Sequence, residues 1–162
     1  MDITASVCLG QLALGLPMMG GAIGSGLGIM KAGCAAAGEW AKEGKAGKGL
    51  KFAYVLFTAM PLSQLLYGFV FTSVCLKKEN LLPDGIIATQ GASIFAMALA
   101  CGVIQLVSAW AQGTVGAAGC RTVSDANGKG LAQIIMAMGI AETVGLLGMV
   151  LGMVAVPTSA GM

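Results

Sequence analysis

The sequence contains four long apolar stretches separated by short polar segments, at about residues 3–30, 52–76, 85–111 and 131–156. A helix needs about 20 consecutive apolar residues to cross a bilayer, and each stretch is long enough. Only 10% of the residues are charged, whereas a soluble domain carries about 25%. Too little polar surface remains to cover a water-soluble molecule. The sequence therefore predicts an all-α membrane protein with four transmembrane helices.

The two halves of the chain resemble each other, which predicts two fused helical hairpins, 1–80 and 81–162, in a single membrane domain. An Ala-Ala-Gly triplet ends the first apolar helix and recurs at the end of the third, at 36–38 and 117–119. Gln64 lies in the second helix where Glu142 lies in the fourth. Both hairpins would cross the membrane in the same order, so the repeat is parallel rather than inverted.

The basic residues are distributed unevenly among the predicted connections, 39–51, 77–84 and 121–130. The first and third connections, with their flanks, hold seven of the nine basic residues: Lys31, Lys42, Lys45, Lys48, Lys51, Arg121 and Lys129. The second connection holds the other two, Lys77 and Lys78. Cytoplasmic loops are enriched in Lys and Arg. We expect the first and third connections in the cytoplasm and both termini outside.

Small residues recur at every fourth position in two of the predicted helices. The stripes are Gly20, Gly24, Gly28, Ala32 and Ala36 in the first helix and Ala92, Ala96 and Ala100 in the third. Residues spaced in this way share a helix face, and small side chains let membrane helices approach closely. The stripes indicate either packing within one bundle or a ring whose inner circle is lined by helices one and three.

Glu142 is the acidic residue that the pattern places deep in the membrane, about 18 Å along the fourth helix. The others are expected near water: Asp2, Glu39, Glu43, Glu79, Asp84 and Asp125. An ionised carboxylate at mid-bilayer costs several kcal/mol and is a functional candidate by default. No Lys or Arg lies in the core of a predicted span to pair with it. Glu142 must therefore be neutralised by a proton or by a bound cation.

Polar side chains at a similar depth supply oxygens for such a cation. Ser63, Gln64 and Tyr67 share one face of the second helix, and Pro61 cannot donate a backbone hydrogen bond, which can free carbonyl groups. Gln112 and Thr143 add further oxygens from the third and fourth helices. Hard cations prefer oxygen ligands, and one carboxylate with neutral oxygens suits a monovalent ion such as Na⁺. The alternative is that these side chains only hydrogen-bond between helices.

These motifs resemble the proteolipid rotor component, K or c, of bacterial and archaeal V/A-type ATPases. The likeness extends over the two hairpins, the Gly-rich first helix, Pro-Leu-Ser-Gln-Leu-Leu-Tyr-Gly-Phe from Pro61, Ala-Gln-Gly around Gln112 and Glu-Thr from Glu142. The resemblance implies that Na⁺ is held by Glu142, Gln112, Gln64, Ser63 and the Met60 carbonyl, with Tyr67 hydrogen-bonded to the carboxylate. Ser63 stands where the family commonly has threonine, and it keeps the hydroxyl.

The resemblance also implies partners and a membrane. Identical copies would form a ring in lipid, facing a stator subunit (a/I) whose arginine pairs with the emptied carboxylate. The cytoplasmic loops would contact the central-stalk subunit (d/C), in the plasma membrane of a bacterium or archaeon. The chain would be a non-catalytic, ion-translocating subunit, because it has no nucleotide-binding motif; ATP would be hydrolysed elsewhere in the complex. Neither an organic cofactor nor nucleic acid is expected.

Other functions stay open from the residues alone. A proton-carrying rotor would use Glu142 alone and leave the glutamines to pack, whereas a small proton-coupled secondary transporter would need a roomier, more aromatic cavity. A purely structural proteolipid would leave Glu142 without a role. A membrane enzyme is disfavoured because no nucleophile–base pair appears. The five cysteines, Cys8, Cys34, Cys75, Cys101 and Cys120, are expected to act as small hydrophobic residues.

Overall fold

The computed structural model describes residues 2–76 and 86–157, and within them it contains helices and turns but no strand. The first span consists of α1 (Ile3–Ala13) and α2 (Leu16–Lys45), and the second of α3 (Ala53–Ala59), a 3₁₀ segment (Met60–Leu62), α4 (Ser63–Phe71) and a π-helical turn (Thr72–Leu76). The third and fourth spans are α5 (Ile86–Asp125) and α6 (Leu131–Ala155). All four are long and apolar enough to cross a membrane. The predicted all-α, four-span architecture is confirmed.

Proline and glycine account for the interruptions. Pro17 lies at the start of α2, where its missing N–H costs nothing. Pro61 lies in the 3₁₀ segment, where the ring would otherwise disrupt an α-helix. Before α6, Gly130 has φ +86°, which a residue with a side chain rarely adopts. The hairpin boundary at residues 80 and 81, with Lys77, Lys78, Glu79 and Asp84, lies outside the described residues, and the two-hairpin division stays a prediction.

The first and third spans pack against each other along the predicted glycine stripe. A Cβ on Gly20 would lie 2.0 Å from the carbonyl oxygen of Gly102, and one on Gly24 would lie 2.5 Å from the Cα of Leu106. Small residues therefore allow backbone-to-backbone contact within one chain. The alanine stripe does something different: Ala92, Ala96 and Ala100 are exposed in the single chain. The expectation that they share this close contact is wrong, since glycines on another face of α5 make it.

The polar segment after the first span is partly helical, because α2 continues to Lys45. Glu43 was expected near water, but it is only 2% exposed. Its carboxylate accepts hydrogen bonds from Lys51 and from the Tyr54 hydroxyl, the latter at 2.6 Å. The same bond raises the pKa of the Lys51 ammonium. These partners compensate the burial of Glu43, and they fasten the first connection to the start of the second span.

The cysteines are free, but only Cys101 and Cys120 are buried, whereas Cys8 and Cys34 are exposed in the single chain. The expectation of buried cysteines is therefore correct for only part of the set. The face of α6 that points away from the other spans is also exposed and wholly apolar, with Met136, Ile140, Val144, Leu147, Leu151 and Val154. This face suits contact with lipid or with another apolar surface.

Candidate functional site

The candidate site lies where α4, α5 and α6 meet, around Glu142 near the middle of α6. The Tyr67 hydroxyl of α4 donates to Glu142 Oε1 at 2.8 Å. The Gln112 amide nitrogen of α5 donates to Glu142 Oε2 at 3.3 Å and to the Met138 carbonyl at 3.2 Å. Each carboxylate oxygen thus accepts a bond from a different helix. Since an ionised carboxylate only accepts hydrogen bonds, this arrangement suits the charged form.

A second group of oxygens surrounds Ser63 at the start of α4. The Ser63 hydroxyl lies 3.1 Å from the Met60 carbonyl oxygen and 3.1 Å from Gln64 Oε1. Both neighbours are acceptors, and the hydroxyl has one proton to give. The three oxygens are therefore close together with a single hydrogen among them. Ser63 also interacts with the Tyr67 side chain, which connects this group to the hydroxyl that contacts Glu142.

The Gln112 side-chain oxygen has no hydrogen-bond partner among the described residues, although Gln112 has no exposed surface. An unpaired buried polar atom is costly, and in a native structure it calls for an explanation such as a bound ion. Its amide nitrogen is occupied by the Met138 carbonyl and by Glu142. The oxygen is therefore the part of Gln112 that is free to ligate a cation.

The structure thus brings Tyr67, Gln112 and Glu142 into direct contact, and it groups Met60, Ser63 and Gln64 beside Tyr67. Thr143 does not join them. Its side chain is exposed, and its hydroxyl donates to the Gly139 carbonyl of its own helix at 2.8 Å. Neighbouring residues of a helix point about 100° apart, so Glu142 and Thr143 cannot both face α5. The expectation that Thr143 adds an oxygen is wrong.

Two buried polar residues of α5, Gln105 and Ser108, were not predicted from the sequence. Gln105 donates to the Gly145 carbonyl at 2.9 Å, and Ser108 donates to the Ala141 carbonyl at 2.7 Å. Gln112 makes the corresponding bond to Met138. The three donors are spaced three and four residues apart, which places them on one helix face. That spacing was the available signal, and it marks the side of α5 that contacts α6.

These bonds form a polar seam between α5 and α6, made by Gln105, Ser108 and Gln112. It reaches backbone carbonyls four residues before Glu142, one residue before it and three residues after it. Rotating α6 about its axis would break every bond of the seam. The seam therefore fixes the direction of the carboxylate, toward α4 and α5 and away from the exposed apolar face.

The arrangement has the features of an ion site rather than of a catalytic centre. Among the described residues, no three His, Cys, Asp or Glu side chains converge to hold a metal ion, and the polar atoms around Glu142 come from neutral side chains and backbone. Fold and site together define a multi-pass helical membrane protein with one intramembrane carboxylate.

A comparison with protein families narrows this class. Residues 95–155 match the family model that describes the C-type subunit of ATP synthase. The matched segment covers most of α5 and all of α6, and it includes Gln105, Ser108, Gln112 and Glu142. No curated protein matches the chain. The family match supports a proteolipid rotor component of a rotary ATPase, which is a non-catalytic, ion-translocating membrane protein.

Proposed function

We propose that the chain is the rotor subunit of a V/A-type rotary ATPase and that it carries Na⁺ on Glu142. The observation that carries the choice of ion is the shortage of protons among the oxygens around the carboxylate. Met60, Ser63 and Gln64 bring three oxygens together with one shared hydrogen, and Gln112 adds an unpaired buried oxygen. A cation would satisfy all of them at once, because each is a hard oxygen ligand.

Charge selects a monovalent ion. One carboxylate with neutral ligands makes an occupied site that is neutral overall, and a neutral site can pass through hydrocarbon at low cost. A divalent ion would leave one uncompensated positive charge. The described residues around Glu142 offer no second carboxylate to balance it.

The competing function is a proton rotor, in which Glu142 is neutralised by protonation alone. A protonated carboxyl becomes a donor at one oxygen and needs an acceptor there. Both oxygens of Glu142 instead face donors, Tyr67 and the Gln112 amide nitrogen. This geometry favours a carboxylate that stays ionised and is neutralised by a cation, and so supports Na⁺ over H⁺.

In the proposed mechanism, copies of the chain form a ring in the plasma membrane of a bacterium or archaeon. At the stator subunit (a/I), an arginine pairs with Glu142 after the ion has left. Reloading neutralises the carboxylate, so the site can turn away into lipid, whereas an empty site is held back by the cost of burying its charge. The first and third connections would face the cytoplasm and meet the central-stalk subunit (d/C). Each four-helix chain would carry one ion, since Gln64 occupies the matching place in the first hairpin.

The test is the rate at which a hydrophobic carbodiimide modifies Glu142 in the purified protein, with and without Na⁺, at several pH values. The reagent attacks the protonated carboxyl. We expect Na⁺ to slow the reaction, and the protection to fade as the pH falls, because Na⁺ and H⁺ compete for one group. Glu142→Gln should abolish labelling and identifies the modified residue. Labelling that depends on pH and not on Na⁺ would contradict the proposal and indicate a proton rotor.

A further inference from the structure

Ser108 of α5 lies between the two halves of the candidate site, and it is only 2% exposed. Its hydroxyl donates to the Ala141 carbonyl of α6 at 2.7 Å, and it accepts a bond from the Gln64 amide of α4 at 3.1 Å. The side chain thus connects the backbone next to Glu142 with a candidate ligand on another helix. Neither the family match nor the mechanism above assigns it a role.

The number of hydrogens on Ser108 determines which way the Gln64 amide points. A carbonyl oxygen can only accept, so the bond to Ala141 uses the single hydroxyl proton of Ser108. The Ser108 oxygen can then only accept from Gln64. The Gln64 atom that faces it must therefore be the amide nitrogen, and the amide oxygen must point the other way, toward the Ser63 hydroxyl at 3.1 Å.

The opposite amide orientation would remove the ion site. With the amide flipped, the Gln64 nitrogen would face Ser63 and the nearby Met60 carbonyl, and its hydrogens would satisfy those oxygens. A hydrogen-bond donor cannot ligate a cation. Gln64 is fully buried, so water could not compensate either orientation. One hydroxyl on a neighbouring helix therefore decides whether Gln64 offers an oxygen or a nitrogen to the site.

We propose that Ser108 is a positioning residue that makes the site selective for Na⁺ by holding the Gln64 amide oxygen toward it. The proposal rests on the proposed Na⁺-carrying function. Without the Ser108 hydroxyl the amide is free to turn, and the oxygens around Ser63 can be satisfied without a cation. Glu142 can still take up a proton, because Tyr67 and Gln112 do not depend on Ser108. Ser108→Ala therefore weakens Na⁺ binding and leaves protonation of Glu142 unchanged.

The experiment measures the Na⁺ concentration that halves carbodiimide labelling of Glu142 in Ser108→Ala and in the unmodified protein. Loss of an outer hydrogen-bond partner typically weakens metal binding about 10–100-fold, and we expect a rise of that size. The pH dependence of labelling without Na⁺ should stay the same. Ser108→Thr keeps the hydroxyl and should retain most of the Na⁺ affinity. Thr143→Val is the matched control, since it removes a hydroxyl beside Glu142 that bonds within its own helix.

A second pair of variants tests whether Ser108 acts through Gln64. If it does, adding Ser108→Ala to Gln64→Leu changes Na⁺ protection no further, as in a double-mutant cycle. An additional loss in the double variant, or an unchanged Na⁺ requirement in Ser108→Ala alone, would overturn the positioning role and leave the Na⁺-carrying function standing. If the unmodified protein shows no Na⁺ protection at all, the proposed function fails and this role fails with it.

Discussion

Replacing Gly20 by alanine should loosen the contact between the first and third spans. The added carbon would lie 2.0 Å from the Gly102 carbonyl oxygen and 2.6 Å from the Gly102 Cα. Ordinary contact begins at 3.4 Å, so the two backbones would have to separate by about 1.4 Å. The obstacle is backbone on a neighbouring helix, which cannot turn aside as a flexible side chain can. Overpacking of this kind typically costs about 1–3 kcal/mol.

The assay is thermal unfolding of the purified protein in detergent. For a chain of this size, such a loss corresponds to a melting temperature roughly 3–10 °C lower. Gly26→Ala is the control, because Gly26 lies in the same helix and a Cβ there would have no neighbour within 4 Å. That change should be neutral or slightly stabilising, since alanine is the better helix former. If both variants melt at the same temperature, the close approach of Gly20 and Gly102 does not contribute to stability.

Two further changes test hydrogen bonds to carboxylates. Tyr67→Phe removes the donor 2.8 Å from Glu142, and a bond to a charged group is worth about 1.5–3 kcal/mol, so the Na⁺ concentration for half-protection should rise about 10–100-fold. Tyr54→Phe is the control, because Tyr54 contacts Glu43 instead, and an equal effect of both changes would refute the locking role of Tyr67. Glu43→Gln should lower the free energy of unfolding by about 1–3 kcal/mol, because it weakens a buried network. Asp125→Asn breaks only an exposed ion pair with Lys42 and should cost about 1 kcal/mol or less; thermal unfolding compares the two, and equal losses would show that the burial of Glu43 is unimportant.

The number and approximate bounds of the membrane spans could be predicted from the sequence. Whether a stretch can cross a bilayer depends on its length and its apolar content, which are properties of the stretch alone. The predicted fourth span, 131–156, agrees closely with α6, Leu131–Ala155. The position of Glu142 near the middle of that helix follows from the same bounds. The first and third helices are longer than predicted, because polar residues continue both of them beyond their apolar parts.

Which helix faces which could not be predicted in the same way. The spacing of Gly20 and Gly24 identifies a face but not its partner, and the equally regular stripe of Ala92, Ala96 and Ala100 is exposed in the single chain. A repeat of small residues is therefore necessary for close packing but does not locate it.

The candidate site was predicted where single residues were unusual and missed where they were ordinary. Glu142 is conspicuous because a charge in an apolar span is rare. Ser108 is not, since serine is common in membrane helices and often only bonds to its own backbone. The bond from Ser108 to the Ala141 carbonyl depends on the rotation of α5 relative to α6, and that rotation is a property of the packed pair. Glu43 was misplaced for the same reason, because its partners Lys51 and Tyr54 come from beyond the turn.

The polar seam also bears on how the chain enters the membrane during synthesis. Inserted alone, α6 would expose Glu142 to lipid, at a cost of about 2.5–3.5 kcal/mol for a charged residue at the helix centre. Inserted alone, α5 would likewise expose Gln105, Ser108 and Gln112. Side by side, the two helices satisfy much of each other's hydrogen-bonding capacity before any other part of the protein is needed. We therefore expect the second half of the chain to partition from the translocation channel into the bilayer as a pair of helices rather than one at a time.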